Sequence, residues 1–322
     1  MTDSTDDAEN ISIETTYCHK HKAGKGLWPH ECPDCIKERN KTMSEAQPKR
    51  TVMPKRPAPN GVVANQTQQE KKEFGVTRGP MRRAWKVGIY GEPGVGKSTL
   101  ASLCQNAVFA DIEGSMLDLD VARVSGIERW EDMRAWVRLC ATQSDGIYGI
   151  DSMSMAEDWC ADYIIRTKAD SSGSRATTSI EDFKYKTGTR FVADEFRLLL
   201  ADIEASFKRG SSWIMVAHNR VSVFNNPDDK NYIIHAPDLL EAKDVSSRAE
   251  WVRFCDHVAY IGKDTMVDRG KAIGGATRTI YMDSASSRVC KQRGLDVDIL
   301  PWQSKEDDSF WQLVGLNKKQ EG

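Results

Sequence analysis

The run Gly91-Glu92-Pro93-Gly94-Val95-Gly96-Lys97-Ser98 constrains this chain more than any other stretch, because it meets every required position of the phosphate-binding pattern G-x-x-x-x-G-K-[ST]. Glycines at that spacing let the backbone curl until several N–H groups converge on one anion, at a helix N-terminus whose dipole already favours negative charge. The flanks supply the context the pattern needs. Trp85-Lys86-Val87-Gly88-Ile89-Tyr90 reads as a short buried strand, and Ser98-Thr99-Leu100-Ala101-Ser102-Leu103-Cys104 as the first turns of a helix. Residues 91–99, Thr99 included, are therefore the expected cradle for ATP, with Lys97 reaching the β- and γ-phosphates and the Ser98 hydroxyl ligating Mg²⁺.

Strand and helix patterns then alternate. Ala107-Val108-Phe109-Ala110-Asp111-Ile112-Glu113-Gly114 reads as a second strand that ends in carboxylates, and Trp130, Met133, Trp136, Val137 and Cys140 form a core-facing helical stripe. Ile147-Tyr148-Gly149-Ile150-Asp151-Ser152 is an apolar strand capped by an acid, the shape of a Walker B element in which Asp151 holds the Mg²⁺ hydration shell. A helix with Met155, Trp159, Tyr163 and Ile165 on one side follows, then a non-periodic stretch near 169–179. A longer helix over 189–208 buries Phe196, Leu199, Leu200, Ile203 and Phe207, stops at Gly210, and feeds the strand Ser212-Trp213-Ile214-Met215-Val216-Ala217-His218. Alternation of this kind predicts an α/β fold, a mostly parallel twisted sheet with helices on both faces. Residues 219–247, polar and carrying Asn225-Asn226-Pro227-Asp228-Asp229, read as a long loop. Residues 257–262 and 277–283 read as further strands, and Phe310, Trp311, Leu313, Val314 and Leu316 as a short terminal helix.

Charge and cysteine are unevenly spread over the 322 residues. Residues 1–17 hold five acidic groups and no Lys or Arg, whereas residues 36–86 hold thirteen Lys and Arg against four Glu. Between them, Cys18-His19-Lys20-His21 and Cys32-Pro33-Asp34-Cys35 form two close pairs of soft or borderline ligands, the usual way a tetrahedral structural zinc site is assembled. Cys18, His21, Cys32 and Cys35 are the expected Zn²⁺ ligands, with His19 or His30 as substitutes for His21. Metal binding would supply the folding energy of so short a segment. The expected organisation is an acidic disordered tail at 1–17, a zinc-binding segment at 18–36, a basic Pro-rich disordered linker at 37–80, an ATPase domain at 81–302 and a C-terminal helix and tail at 303–322. No run has the apolar length needed to span a bilayer, and the acidic N-terminus lacks the features of a signal peptide, so a cytoplasmic protein without a membrane partner is expected.

Hydrolysis needs a carboxylate to orient the attacking water, and its position separates families. In AAA+ ATPases it is a Glu directly after the Walker B Asp; here that position is Ser152, and no N-K-x-D nucleoside motif is present. Glu113, Asp151 and His218 instead end neighbouring strands, where ligands of doubly wound sheets sit. On these residues the chain resembles the RecA-like recombinase core and, within it, the small phage RecA-like ATPases linked to single-strand annealing. Phe109-Ala110-Asp111-Ile112-Glu113 is similar to the family's segment with the catalytic Glu, Ile150-Asp151-Ser152 to its Walker B, and His218 stands where recombinases carry a Gln that senses the γ-phosphate. Lys291-Gln292-Arg293 resembles the basic pair that a neighbouring subunit inserts toward the nucleotide, which makes Lys291 and Arg293 nucleotide-binding candidates in trans.

The resemblance covers residues 85 to about 300 and implies a homo-oligomeric ring or filament in which Lys97, Glu113, Asp151 and His218 serve hydrolysis. It also implies single-stranded DNA held by two loops, here about 168–188 and 220–247, with Arg175, Lys184, Lys186 and Arg220 as the basic contacts. The expected activity is a DNA-dependent ATPase of phage recombination, annealing or repair, working in the bacterial host cytoplasm with replication or recombination partners. The alternative is a nucleotide-switched adaptor or loader that recruits a replication protein through its zinc segment. A nucleotide or nucleoside kinase is a third possibility, for which no lid or acceptor pocket is visible.

Overall fold

The structure, a computed structural model, describes residues 78 and 84–318 apart from 169–177, 185–186, 227–229 and 269–270, with backbone alone for 264–276. The zinc candidates Cys18, His21, Cys32 and Cys35, the acidic tail, the basic linker, Arg175 and Lys186 lie outside the described residues.

Nine strands are present among the described residues: β1 (Lys86–Gly91), β2 (Ala107–Asp111), β3 (Ala122–Arg123), β4 (Ile147–Asp151), β5 (Ser212–Phe224), β6 (Tyr232–Pro237), β7 (His257–Asp268), β8 (Lys271–Tyr281) and β9 (Ile299–Trp302). A period of two in their apolar residues sets up the layers. In β1, Val87 and Ile89 join one core layer and Tyr90 the other; in β5, Ile214 and Val216 share the first layer, and Trp213, Met215 and Ala217 the second. A strand apolar on both sides needs cover on both faces, which is how parallel strands are buried. The spatial order is β3-β2-β4-β5-β1-β7-β8-β9, with β6 paired to β5 off that path. From β3 to β7 all neighbours on that path run parallel, while β8, β9 and β6 add antiparallel ladders.

Helices α1 (Lys97–Ser102), α2 (Trp130–Cys140), α3 (Met153–Lys168), α4 (Thr187–Phe207), α5 (Ser247–Phe254) and α6 (Ser309–Val314) supply the cover. Trp130, Met133 and Val137 of α2, Phe196, Leu199 and Ile203 of α4, and Trp251 of α5 fill one face; Leu100 of α1 with Phe310, Trp311 and Val314 of α6 fill the other. Each such side chain contributes about 1.5–3 kcal/mol on burial. Arg134 ties α2 to α4, 2.6 Å from Glu195 and 2.7 Å from Asp202, with Trp130 Nε1 donating to Glu195 at 3.0 Å.

Two elements differ from the sequence reading, while the short terminal helix stands where it is expected. The expected loop at 219–247 is instead a hairpin: β5 continues to Phe224 and returns antiparallel through β6, with Val223 opposite Ile233, before α5 starts at Ser247. On α3 the fully buried stripe is Met153, Ala156, Cys160 and Ile164, while Trp159 and Tyr163 only flank it. The terminal helix α6 packs into the same core as β1, and Trp311 Nε1 donates to Leu100 O at 2.6 Å.

Candidate active site

The register of the parallel strands brings the site residues to one edge of the sheet. Gly91 lies opposite His218, and Asp151 opposite Asp111, so β1, β2 and β4 end side by side at the level of His218, where β5 runs on toward Phe224. At the end of β1 the backbone curls through Gly94 (φ 70°) and Gly96 (φ 106°), left-handed values that favour glycine. Gly96 is constrained twice, since a Cβ there would come within 2.8 Å of the Trp302 ring. Lys97 is buried, and its Nζ donates to the carbonyls of Gly91 at 3.0 Å and Glu92 at 3.1 Å, closing the loop on itself.

Hydroxyls and carboxylates meet across this loop. Ser98 Oγ is 2.9 Å from Ser115 Oγ, and Ser115 donates to Asp151 Oδ2 at 2.6 Å. Asp111 fixes the turn that presents Ser115, accepting from the backbone N–H groups of Ser115 at 2.9 Å and Met116 at 3.0 Å. An all-oxygen donor set of this kind suits Mg²⁺, a hard cation that keeps several waters and takes one or two carboxylates. Glu113, just past β2, accepts from Ser152 Oγ, and its Oε1 is 2.8 Å from His218 Nε2. The His218 backbone N–H donates to Ser154 Oγ at 3.0 Å, and Ser154 donates to the Asp238 carbonyl at 2.8 Å, which ties β5 at His218 to the first turn of α3.

Burial and charge act in opposition here. Desolvation pushes the Asp151 carboxyl above its ordinary range, against hydrogen bonds from Ser115 and Ser98. Desolvation also lowers Lys97, while Asp151 and Glu113 nearby favour its charged form. Burial alone would raise Glu113, yet hydrogen bonds from His218 and Ser152, with the charges of His218 and Lys97, hold its carboxyl below the usual range. The Glu113 bond raises His218, outweighing the effect of burial. Glu113 is thus an ionised acceptor at neutral pH, with the Lys97 amino group nearby favouring its charge.

Of the sequence candidates, the loop residues 91–99, Glu113, Asp151 and His218 come together. Lys291 and Arg293 do not join them. Lys291 pairs with Val258 near the start of β7, away from the loop edge, and its Nζ donates to the carbonyls of Val252, Arg253 and Cys255 at the end of α5. Arg293 is 3.1 Å from Asp256. Arg220 is held 2.7 Å from Asp238, and Lys184 follows the short 3-10 turn Ile180–Asp182. Ser115 and Arg278 belong to the site without having been read from the sequence. Arg278 lies over the Trp302 ring, and its guanidinium carbon is 3.7 Å from where a Gly96 Cβ would be. Ser115 follows a Gly in a strand-end turn and Arg278 sits in a strand near the C-terminal part of the chain; neither belongs to a spaced motif. Among the described residues no group of three or more His, Cys, Asp or Glu forms a metal cluster, and no helix is long and apolar enough to cross a membrane.

A family model described as an AAA domain matches residues 83–294, a span that takes in the loop, both carboxylates and His218. No curated relative matches the sequence.

Proposed function

This chain belongs to the AAA-domain family, a P-loop ATPase domain on an α/β sheet, and on that premise we propose that it hydrolyses ATP as a RecA-like enzyme acting on single-stranded DNA in recombination, annealing or repair. The observation that carries this reading is Glu113, an ionised carboxylate at the end of a strand other than the Walker B strand, held between Ser152 and His218. Lys97 would neutralise the β- and γ-phosphate oxygens, and Ser98 with Asp151 would hold Mg²⁺, which when bound supplies charge neutralisation of the triphosphate. Glu113 would orient a water in line with the bond to the leaving group. The water oxygen bonds to the γ-phosphorus, the bridge to the β-phosphate breaks toward ADP, and the water proton passes by way of Glu113 to the phosphate product. His218 sits where loss of the γ-phosphate would be felt by Glu113 and by the hairpin that begins one residue later.

The same reading takes residues 18–36 as a structural Zn²⁺-binding segment and expects a ring or filament with replication or recombination partners in the host cytoplasm; recruitment of a replication protein through that segment belongs to the alternative adaptor or loader. Arg293, the more accessible of the basic pair, would then reach a neighbouring copy's nucleotide more readily than Lys291, whose ammonium already satisfies three carbonyls. The test is steady-state ATP turnover with and without single-stranded DNA. Stimulation by the strand is expected, and Glu113→Gln should slow turnover about a hundredfold or more while nucleotide still binds. Unchanged turnover in Glu113→Gln contradicts the role of that residue. Turnover indifferent to the strand would favour the adaptor or loader instead.

A further inference from the structure

Arg278 of β8 pairs in register with Lys263 of β7 on one side and with Trp302 of β9 on the other. Trp302 anchors this corner of the fold. It is 2% exposed, shares a core layer with Val95 and Leu100, and donates from Nε1 to the Asp307 carbonyl at 3.0 Å. Its ring presses on Gly96, where a Cβ would come within 2.8 and 2.9 Å of two ring carbons, so ring and phosphate loop are in direct contact. The Arg278 guanidinium lies over that ring, its carbon 5.0 Å from the centroid and 3.7 Å from the same Gly96 Cβ position. Ring and strand thus hold a half-buried cation against the residue that precedes Lys97.

What this guanidinium lacks is an acid. Arg288 is held 3.0 Å from Asp283, and Arg293 3.1 Å from Asp256. Arg278 has no such partner among the described residues, and its Nε is buried without a hydrogen bond. A guanidinium stays charged at any working pH, and a buried donor left unmatched is costly, so an anion from outside the chain would complete the arrangement. The adjoining loop is shaped for phosphate, and Arg is the side chain whose planar fork fits phosphate oxygens. Stacking on Trp302 orders that fork beforehand, which reduces the side-chain freedom lost when a ligand arrives. Lys97 brings no surplus charge to the loop, because its ammonium is bonded to two carbonyls and lies near the carboxylates of Asp151 and Glu113. We propose that Arg278 binds the polyphosphate of the nucleotide held by its own chain's loop. Lys291 and Arg293, tied to the end of α5 and to Asp256, leave that position in the chain's own site to Arg278.

This inference rests on the reading of residues 91–98 as an ATP site and adds a residue that no spaced motif marks. The experiment titrates the full chain with a fluorescent ATP analogue and Mg²⁺ at a series of salt concentrations, comparing the unaltered protein with Arg278→Met and Arg278→Lys. The Tm of each without ligand is measured alongside. Met keeps an unbranched apolar stem over Trp302 and removes the charge and the donors. Arg278→Met is expected to weaken binding roughly tenfold and to flatten the fall of affinity with salt, with a ligand-free Tm close to that of the unaltered chain. Arg278→Lys, which keeps the charge without the fork, should recover part of both effects. Equal affinity in Arg278→Met and the unaltered chain overturns the inference. So does a weakening with unchanged salt dependence, which would mark a loss of packing on Trp302 and not of a phosphate contact. If the unaltered chain itself binds no analogue, it is the ATP reading of the loop that fails.

Discussion

Glu113 and His218 illustrate how two ordinary side chains acquire unusual protonation by meeting. Neither is close to the other in sequence, yet β2 and β5 deliver them to a 2.8 Å contact. The ring is raised chiefly by its bond to the carboxylate, with burial, the next cause, working against that rise. A histidine whose folded value lies above its unfolded one stabilises the fold fully below the ordinary imidazole value of about 6.5, and that contribution is lost as pH climbs through the raised value. The Glu113–His218 ion pair should therefore persist above pH 6.5 and dissolve at a higher pH, leaving Glu113 to its bond from Ser152. Titration of the His218 ring followed by NMR is the direct check. Its midpoint should stand above that of a free imidazole in the unaltered chain and fall back toward it in Glu113→Gln. An identical midpoint in the two proteins would mean that the contact carries no charge.

At the scale of elements, legibility followed the strength of local signals. The strand, loop and helix at 86–102 were readable because a spaced motif and an apolar run agreed, and α4 was readable because Phe196, Leu199, Leu200 and Ile203 repeat at helical spacing over several turns. The hairpin was not, because Arg220, Ser222 and Asn226 masked the strand pattern of Val221, Val223 and Ile233, whose pairing with the returning strand is non-local. On α3 the aromatic residues Trp159 and Tyr163 give the stronger local pattern, yet they only flank the core, and the buried stripe of Met153, Ala156, Cys160 and Ile164 is set by the elements packed against it. Site residues followed the same rule: Glu113 and Asp151 end apolar strands, while Arg278 reaches the loop only through the pairing of β8 with β7.

The same helix, α3, carries a titration that no motif marks. Glu157 accepts the Leu240 N–H at 2.6 Å, and burial pushes its carboxyl up to about 7 despite that bond. An acid raised in the folded state costs stability as pH rises from the unfolded value to the folded one, and the cost is complete above it. Glu157→Gln keeps an oxygen for Leu240 and removes the charge. The variant should match the unaltered chain in thermal unfolding near pH 4.5 and exceed it by several degrees at pH 8, on a scale of about 2–4 °C per kcal/mol for a domain of this size. A variant less stable than its parent at pH 8 would contradict the burial argument.

For the whole molecule, the consequence of this architecture is that nucleotide occupancy and global stability are linked. The loop closes the central strand β1, which pairs with both β5 and β7 and contributes to both core layers, so a ligand held at its end is felt by the entire sheet. A ligand that binds only the folded chain at about a hundred times its Kd adds about 2.7 kcal/mol, which corresponds to a rise in Tm of roughly 5–10 °C. A non-hydrolysable ATP analogue with Mg²⁺ should produce that rise, measured by scanning calorimetry or dye fluorescence. Lys97→Ala should abolish most of it, because Lys97 Nζ, held by the Gly91 and Glu92 carbonyls, stands at the loop whose backbone N–H groups would frame the phosphates. The increment on adding nucleotide is the informative quantity. The baseline Tm of the variant also moves, as removing Lys97 relieves the cost of burying a lysine and at the same time strips Asp151 and Glu113 of their nearby positive charge. A Tm in the unaltered chain that does not respond to nucleotide, at any concentration that saturates related sites, would remove the premise that the loop at 91–98 binds ATP at all.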